Sequence, residues 1–331
     1  MKEKFDFNDI LIKPAKISSI NSRKDINPFH NGFLPLITAP MDTVINSKNR
    51  PCYSTLNILT CLPRGEKNPM GFESYSLDDI FNLYLTGKLS NEGMYLIDIA
   101  NGHMEKLLNT VKIIKKKYPK LILMVGNVAN PETYVELSLA GADYIRIGIG
   151  NGGGCSTTVH TGVGFPMGSL IRETYLASMT LDKPAKIVAD GGMQNYSDII
   201  KALALGADYV MVGSMFNKSI ESCGDNYLWG KLKVPQSIAE FAYKHKIPVY
   251  KKFRGMSTKE VQKKWGKKNL TSSEGVVRVR KVEYRLDQWV DNFHDYLRSA
   301  MSYSNARTLE EFIGYAEIIK ITDNAHKRYA K

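Results

Sequence analysis

The residues with the clearest capacity for chemistry lie in the segment 148–158, where a cluster of glycines ends at a single thiol, Cys155. Five of the seven residues 148–154 are glycine, and they follow the apolar run 144–147. Because glycine loses more backbone entropy on folding than other residues, such a cluster predicts positive φ angles or close approach of the backbone to a ligand. Main-chain groups of such a loop can hold an ion or a phosphate. The alternative is a flexible turn with an incidental thiol.

The composition is typical of a folded protein with a large core. The chain has 331 residues, 43% hydrophobic and 24% charged, enough for one large α/β domain or two ordinary ones. Its longest apolar runs, such as 121–125 and 209–212, fall far short of the roughly 20 residues of a membrane helix. The first five residues show no apolar signal core. We therefore expect a cytoplasmic protein that does not enter a membrane.

The cysteines and the net charge narrow the class of partner. The four cysteines form no Cys-x-x-Cys pair and have few histidines near them, so neither a disulfide nor a zinc framework is predicted. The net charge of +12 is concentrated in 112–120 and 251–268, which could indicate nucleic-acid binding. These segments lack a platform of interleaved aromatic residues, and a basic surface also attracts anionic nucleotides. Nucleic acid is therefore not the favoured partner.

Strand-like and helix-like segments alternate along the chain. Short apolar runs predict strands at 34–39, 58–62, 95–99, 121–125, 144–147, 186–189 and 209–212. Helix-like stretches between them include 104–117, 132–140 and 196–205. This alternation predicts an α/β fold with a parallel sheet and right-handed crossovers. An eighth strand, at 70–74 or at 247–253, would complete a (β/α)8 TIM barrel.

The positions of the polar and glycine-rich segments favour a barrel over an open sheet. They follow predicted strands, at 42, 98–101, 126–127, 150–155, 190–192 and 213–214. In a barrel these C-terminal strand ends meet at one mouth. The alternating segment 5–12 predicts a short strand or hairpin outside the sheet, as an N-terminal extension. We expect one domain, in which 216–331 forms a C-terminal part with a basic loop and helical patterns at 286–299 and 308–319.

Taken in order, a set of short motifs resembles the IMP dehydrogenase and GMP reductase family. The matching segments are 7–11, 39–44, 98–102, 126–128, 148–158, 161–164, 189–192, 206–214, 254–257 and 273–275. Each motif is weak alone, but the ordered set covers about 5–310 and is highly specific. In that family the cysteine matching Cys155 attacks C2 of the purine and forms a covalent intermediate. A thiolate suits this step because it is nucleophilic near neutral pH and leaves readily.

The resemblance implies roles for residues around Cys155. Thr157 and Glu274 match the threonine and glutamate that, in reductases, handle the proton as ammonia departs, and a hydroxyl held by a carboxylate is a reasonable relay. Asp190 matches the aspartate that binds ribose hydroxyls. The other implied substrate contacts, on the phosphate and on the purine, are Met41, Asn127, Gly153, Gly191, Gly192, Gly213, Ser214, Arg254, Gly255, Met256 and Ser257.

The resemblance also implies a cofactor, a cation and an assembly. The implied cofactor is NADPH, and its contacts are Asp98, Ala100, Asn101, Ser299 and Tyr303. The last two lie in a segment that touches the cofactor across a subunit boundary in reductases, and a homotetramer is expected. A monovalent cation such as K⁺ is implied at the backbone carbonyls of Gly150, Gly152 and Cys155.

Two branches of the family differ in features that this sequence can test. Dehydrogenases usually insert a pair of nucleotide-sensing modules and carry a long flap whose Arg-Tyr pair activates water. Neither feature is found here, because only a short lysine-rich link separates 255–258 from 273–275, and 98–102 resembles the reductase form. The resemblance thus implies a single catalytic domain over 1–331 without an inserted regulatory domain. The resemblance therefore implies NADPH-dependent reductive deamination of GMP, or a related guanine nucleotide, to IMP and ammonia. The alternatives are IMP dehydrogenase-like oxidation of IMP to XMP with NAD, and a non-catalytic barrel that binds nucleotides or nucleic acid.

Some positions depart from the family pattern. Gly153 stands where a serine usually binds the phosphate, Phe253 lacks the hydroxyl of the dehydrogenase tyrosine, and Thr271 replaces a reductase arginine near the base. The segment 60–65 replaces one that carries histidine or lysine, with Arg64 as a candidate substitute. These changes leave a deoxynucleotide or a modified purine open as the substrate.

Overall fold

An eight-stranded parallel sheet that closes into a barrel forms the centre of the protein. The structure is a computed structural model and describes residues 3–266 and 274–329. The strands, in chain order, are β1 (Ile10–Ile12), β2 (Leu36–Thr38), β3 (Cys61–Leu62), β4 (Phe72–Tyr75), β5 (Met94–Asp98), β6 (Ile122–Val128), β7 (Tyr144–Ile147), β8 (Lys186–Asp190), β9 (Tyr209–Val212), β10 (Asn226–Leu228), β11 (Leu232–Val234), β12 (Val249–Arg254), β13 (Val277–Lys281) and β14 (Ile318–Lys320).

The barrel follows the strand order β2-β9-β8-β7-β6-β5-β4-β3. It is closed between its first two strands in sequence, where Ile37 pairs with Leu59 and the Thr38 N–H donates to the Leu59 carbonyl at 3.0 Å. The predicted (β/α)8 barrel is therefore confirmed. Of the two candidates for the eighth strand, the first supplies β4, whereas 247–253 overlaps β12, which lies outside the barrel.

Helices connect the strands and cover the barrel. They are α1 (Arg50–Ser54), α2 (Leu77–Leu85), α3 (Glu105–Lys117), α4 (Pro131–Leu139), α5 (Thr157–Thr161), α6 (Met167–Ser178), α7 (Tyr196–Leu205), α8 (Ser214–Asn217), α9 (Gln236–Lys244), α10 (Lys259–Lys264), α11 (Leu286–Tyr303), α12 (Leu309–Phe312) and α13 (Asp323–Tyr329), with 3-10 turns at Phe7–Asp9 and Arg23–Asp25. The predicted helices α3, α4 and α7 are confirmed to within a residue or two. Side-chain caps begin α4 and α7, at Asn130 and Asn195.

Two layers of apolar side chains hold this arrangement together. One fills the barrel and includes Leu96, Met124 and Met211, and the other packs the outer faces of the strands against the helices. Strand β9 shows why both layers form, because all four of its residues are buried and side chains alternate between the two faces. The apolar runs of the sequence therefore become rigid strands that hold the residues at their C-terminal ends.

The chain after the barrel is more ordered than the sequence predicted. The residues after 216 include an antiparallel sheet in the order β11-β10-β12-β13, of which the sequence pattern indicated only one strand, the candidate 247–253 that overlaps β12. Its strands are three to six residues long and several alternate with charged residues, so no local period marked them as a sheet. This sheet matters for function because β12 and β13 carry residues of the cavity described below.

One helix prediction was wrong. The segment 308–319 is helical only over α12, and its last residues enter β14, which pairs antiparallel with β1. The helix stops because Ile313 is extended and Gly314 adopts φ +74°, packing against the Tyr175 ring. The pairing with β1 confirms the predicted strand outside the main sheet. None of the described helices combines the length and apolar character needed to cross a bilayer.

Candidate active site

The glycine-rich loop lies between β7 and α5, at the C-terminal mouth of the barrel, and presents Cys155 half-buried. Its backbone turns with positive φ at Gly148 and Gly150. A Cβ on Gly150 would lie 1.7 Å from Thr158 Oγ1, so a side chain there would break the turn. The Cys155 N–H donates to the Gly152 carbonyl at 2.9 Å, which closes the loop below the thiol.

A second, distant segment fixes this loop in place. The Ser156 N–H donates to the Glu274 carbonyl at 2.7 Å, and the Val276 N–H donates to the Gly154 carbonyl at 3.1 Å. Cys155 and Gly275 pair as an antiparallel bridge. The residues 274–276, which lead into β13, therefore hold the thiol loop in place through backbone pairing.

Three predicted catalytic residues form a continuous hydrogen-bonded chain. Cys155 Sγ lies 3.1 Å from Thr157 Oγ1, which in turn donates to Glu274 Oε2 at 2.5 Å. A threonine hydroxyl has a single proton, and Thr157 uses it in the hydrogen bond to Glu274. Thr157 Oγ1 can therefore only accept a hydrogen bond from the Cys155 thiol. The chain therefore runs from thiol to hydroxyl to carboxylate. It can carry a proton away from the sulfur or toward a group bound beside it.

Arg146 is a site residue for which the sequence analysis made no prediction. It lies on β7, and its guanidinium bridges two carboxylates at the barrel mouth, Asp98 Oδ1 at 2.7 Å and Asp190 Oδ2 at 2.8 Å. The side chain is only 8% exposed. Burial opposes its charge, but Asp190 and Asp98 more than compensate and raise the pKa of Arg146. The signal that could have found it is a charged residue in the middle of a short apolar strand.

Asp190 is held by two donors and keeps one oxygen for a ligand. Besides Arg146, Asn127 Nδ2 donates to Asp190 Oδ2 at 2.7 Å, and the same nitrogen lies 2.9 Å from the Gly148 carbonyl. In the described part of the chain no donor hydrogen-bonds to Asp190 Oδ1. Oδ2 is thus bonded twice by the protein, and Asp190 as a residue lines the cavity described next.

A cavity of about 570 Å³ opens beside Cys155. This volume lies in the range of small-molecule sites. Most of the predicted site residues line it: Met41, Asp98, Ala100, Asn127, Gly150, Gly152, Gly153, Cys155, Thr157, Asp190, Gly191, Gly192, Gly213, Ser214, Gly255, Met256 and Ser257. Gly191 has φ +85°, and a Cβ there would lie 2.8 Å from Gly152 Cα, so the two loops touch directly. Residues from 41 to 257 in sequence thus meet around one space.

Four predicted contacts lie elsewhere. Arg254 does not line the cavity and forms ion pairs with Asp42 at 2.5 Å and Glu260 at 2.7 Å. The Asn101 side chain accepts from the His103 N–H at 3.1 Å within its own loop. Ser299 and Tyr303 lie on α11, which packs on α7 outside the barrel. Neither of these two lines the cavity within a single chain.

The departures from the family pattern take distinct positions. Arg64 hydrogen-bonds the Asp98 carbonyl, and its guanidinium lies over the Trp265 ring at 4.5 Å, so it supports a predicted cofactor contact. Phe253 lines the cavity with an apolar ring. Thr271 lies outside the described residues.

Ion pairs hold the start of the segment that follows β12. Arg254 and Lys264 both bind Asp42, which follows β2 at the barrel mouth. Burial alone would raise the pKa of Asp42, but hydrogen bonds from Arg254 and then Lys264 lower this pKa below its usual value. Arg254 therefore anchors α10 to the barrel, next to Gly255 at the cavity wall.

The fold and the site together define a (β/α)8 barrel protein with a thiol-centred candidate active site at its C-terminal mouth. The family model described as "IMP dehydrogenase / GMP reductase domain" matches residues 88–328. The chain therefore belongs to the IMP dehydrogenase / GMP reductase family.

Relatives cover nearly the whole chain. A GMP reductase of Buchnera aphidicola subsp. Schizaphis graminum is 31% identical, over 97% of this chain and 95% of its own length. A GMP reductase of Caenorhabditis elegans is 29% identical, over 98% and 94%, respectively. GMP reductase 1 of Homo sapiens is 30% identical, over 96% and 95%. The family assignment therefore rests on similarity along nearly the full length.

Proposed function

We propose that this protein is a GMP reductase-like oxidoreductase that converts GMP to IMP and ammonia with NADPH. The observation that carries the proposal is the hydrogen-bonded chain of Cys155, Thr157 and Glu274 beside a cavity of nucleotide size. The names of the relatives support the same assignment. The reaction would be GMP + NADPH + H⁺ → IMP + NADP⁺ + NH₃.

The first half of the reaction needs a nucleophile and a proton donor. The Cys155 sulfur adds to C2 of the guanine, and its proton passes to Thr157 and Glu274 along the 3.1 Å and 2.5 Å contacts. The same relay then returns a proton to the 2-amino group, which leaves as ammonia. A covalent thioimidate on Cys155 remains.

The second half reduces that adduct. NADPH, when bound, supplies the hydride that reaches C2. The Cys155 sulfur then leaves as a thiolate and IMP is released, so that one two-electron oxidation balances one reduction. The loop contacts from 274–276 keep the sulfur in place through both halves.

The remaining cavity residues would bind the nucleotide. Asp190 Oδ1 would accept a hydrogen bond from a ribose hydroxyl, since Oδ2 already accepts hydrogen bonds from Arg146 and Asn127. Main-chain N–H groups at the glycine turns 191–192 and at 213–214 would donate to phosphate oxygens. Met41 and the residues 255–257 would contact the purine.

The cofactor and the cation are further parts of this proposal. Asp98 and Ala100 line the same cavity as Cys155, so these residues fit a nicotinamide beside the purine, while Ser299 and Tyr303 would reach it from a neighbouring subunit of a homotetramer. Carbonyl oxygens suit a hard monovalent cation, and the Gly152 carbonyl, which accepts from Cys155, still has a second lone pair for K⁺. Activity should then rise when K⁺ replaces Na⁺, and the protein should sediment as a tetramer.

The test follows both products of the reaction. With GMP and NADPH, the purified protein should consume NADPH and release ammonia in a one-to-one ratio. Cys155→Ala should abolish both signals. The matched control is Cys52→Ala, because Cys52 is an exposed thiol that does not line the cavity, and this variant should keep both. Persistence of either signal in Cys155→Ala would overturn the role of the thiol.

A further inference from the structure

Besides Arg146, which is paired with Asp98 and Asp190, three cationic side chains line the cavity at positions for which the sequence predicted no role in the site: Lys218, Arg278 and Arg280. Lys218 is neutralised by the protein, since its Nζ lies 2.9 Å from Glu283 Oε1. Over residues 3–266 and 274–329, neither arginine has a carboxylate oxygen within 4.0 Å. Two guanidinium groups at this cavity therefore have no ion-pair partner among the described residues.

Arg280 is held at one defined place on the cavity wall. Its Nη2 lies 3.5 Å from the point where a Cβ on Gly153 would be, and that point is 3.9 Å from Ser214 Cβ. The guanidinium lies over the Phe253 ring at 4.3 Å, which fixes its plane. Arg280 thus occupies the space beside Gly153, where a residue with a side chain would project into the cavity.

Arg278 extends the same positive surface toward solvent. It lies two residues before Arg280 on β13, so the two side chains lie on the same face of the strand. Arg280 is half-buried and Arg278 is exposed at the rim. Burial, followed by repulsion from Arg278, lowers the pKa of Arg280.

The groups around Arg280 are suited to a phosphate. A guanidinium presents its donors in a planar fork that fits phosphate oxygens. The glycine turn at 191–192, which touches the Gly152 backbone, brings main-chain N–H groups to the same cavity. We propose that Arg280, with Arg278 at the rim, binds the phosphate group of the substrate and makes the cavity selective for nucleotides over nucleosides. This inference takes from the proposed function only that the ligand is a purine nucleotide.

Calorimetric binding of GMP and of guanosine to the full chain, without cofactor, tests this inference. Arg280→Gln should weaken GMP binding by roughly 10- to 100-fold, the range for a hydrogen bond to a charged group, and change guanosine binding less than about twofold. Arg278→Gln should weaken GMP binding by only about two- to fivefold, because an exposed charge is screened. The matched control is Lys281→Gln, an exposed residue on the same strand that does not line the cavity, and it should have no effect.

A second variant guards against a purely structural effect. Gly153→Ser in the Arg280→Gln background should recover part of the lost GMP affinity, because a Cβ at 153 has ordinary room and the hydroxyl supplies a new donor. Equal loss of GMP and guanosine binding in Arg280→Gln would overturn the inference. So would unchanged GMP binding together with a lost preference for NADPH over NADH, which would assign the pair to the cofactor's phosphate. Arg280-dependent GMP binding without turnover would uphold this inference and overturn the proposed function instead.

Discussion

Replacing Arg146 by methionine should destabilise the protein, because Asp98 and Asp190 would lose the ion-pair partner that they share. The change removes the only side chain in the described residues that hydrogen-bonds both Asp98 and Asp190, at 2.7 and 2.8 Å. The arginine is 8% exposed and each carboxylate 17%, so water replaces little of what is lost. Removing one partner of a buried ion pair typically costs about 3–5 kcal/mol. We expect a loss near the lower end, about 3 kcal/mol, because Asn127 and Arg64 remain in contact with the two acids.

The assay is denaturant unfolding of the wild type and of the variant at pH 7. Adding Asp98→Asn to Arg146→Met removes one of the two charges that have lost their partner, so the double variant should recover part of the loss. A cost below about 1 kcal/mol, or no recovery in the double variant, would contradict this prediction.

Three further predictions concern the relay, a buried lysine and the direction of the reaction. Glu274→Gln should lower kcat for ammonia release by about 100-fold or more, with little change in GMP binding, and a normal kcat would exclude the relay. Burial lowers the pKa of Lys251 to about 8, so between pH 8 and 10.5 the unfolded chain binds more protons than the folded protein does. The free energy of unfolding should then rise by about 3 kcal/mol across that window relative to Lys251→Met, and parallel pH curves for the two proteins would contradict this. With IMP and NAD, we expect at most one NADH to form per Cys155, because the link after Met256 is too short for a flap that activates water. Sustained XMP formation would instead assign the protein to the dehydrogenase branch.

The positions that depart from the family pattern left a deoxynucleotide or a modified purine open as the substrate. Measuring kcat/KM for GMP, dGMP and base-modified analogues distinguishes these alternatives. If the ribose hydroxyls bind Asp190, GMP should have the highest kcat/KM. A preference for dGMP would instead show that the changed positions select a deoxynucleotide.

The amino-acid sequence is enough to predict the local elements and the loop that presents Cys155. Apolar runs such as Tyr144–Ile147 are long enough to form buried strands, and the glycines before Cys155 allow only a sharply turning loop. Because polar residues follow these strands, a barrel alone is enough to predict that Asp98, Asn127 and Asp190 meet at one mouth. These inferences succeed because they depend on periodicity and backbone freedom within a few residues.

Which distant segments meet depends on the folded barrel and on the sheet β11-β10-β12-β13. Glu274 reaches Thr157 across 117 residues because the start of β13 clamps the thiol loop, and β13 itself exists only by pairing with β12. The same is true of Arg280 beside Gly153 and of β14, which the sequence pattern assigned to a helix. Such contacts have no local period, since their free energy comes from pairing and burial between residues far apart in the chain. A sequence pattern therefore predicts the elements of this site, whereas the closed barrel and its outer sheet decide which of them touch.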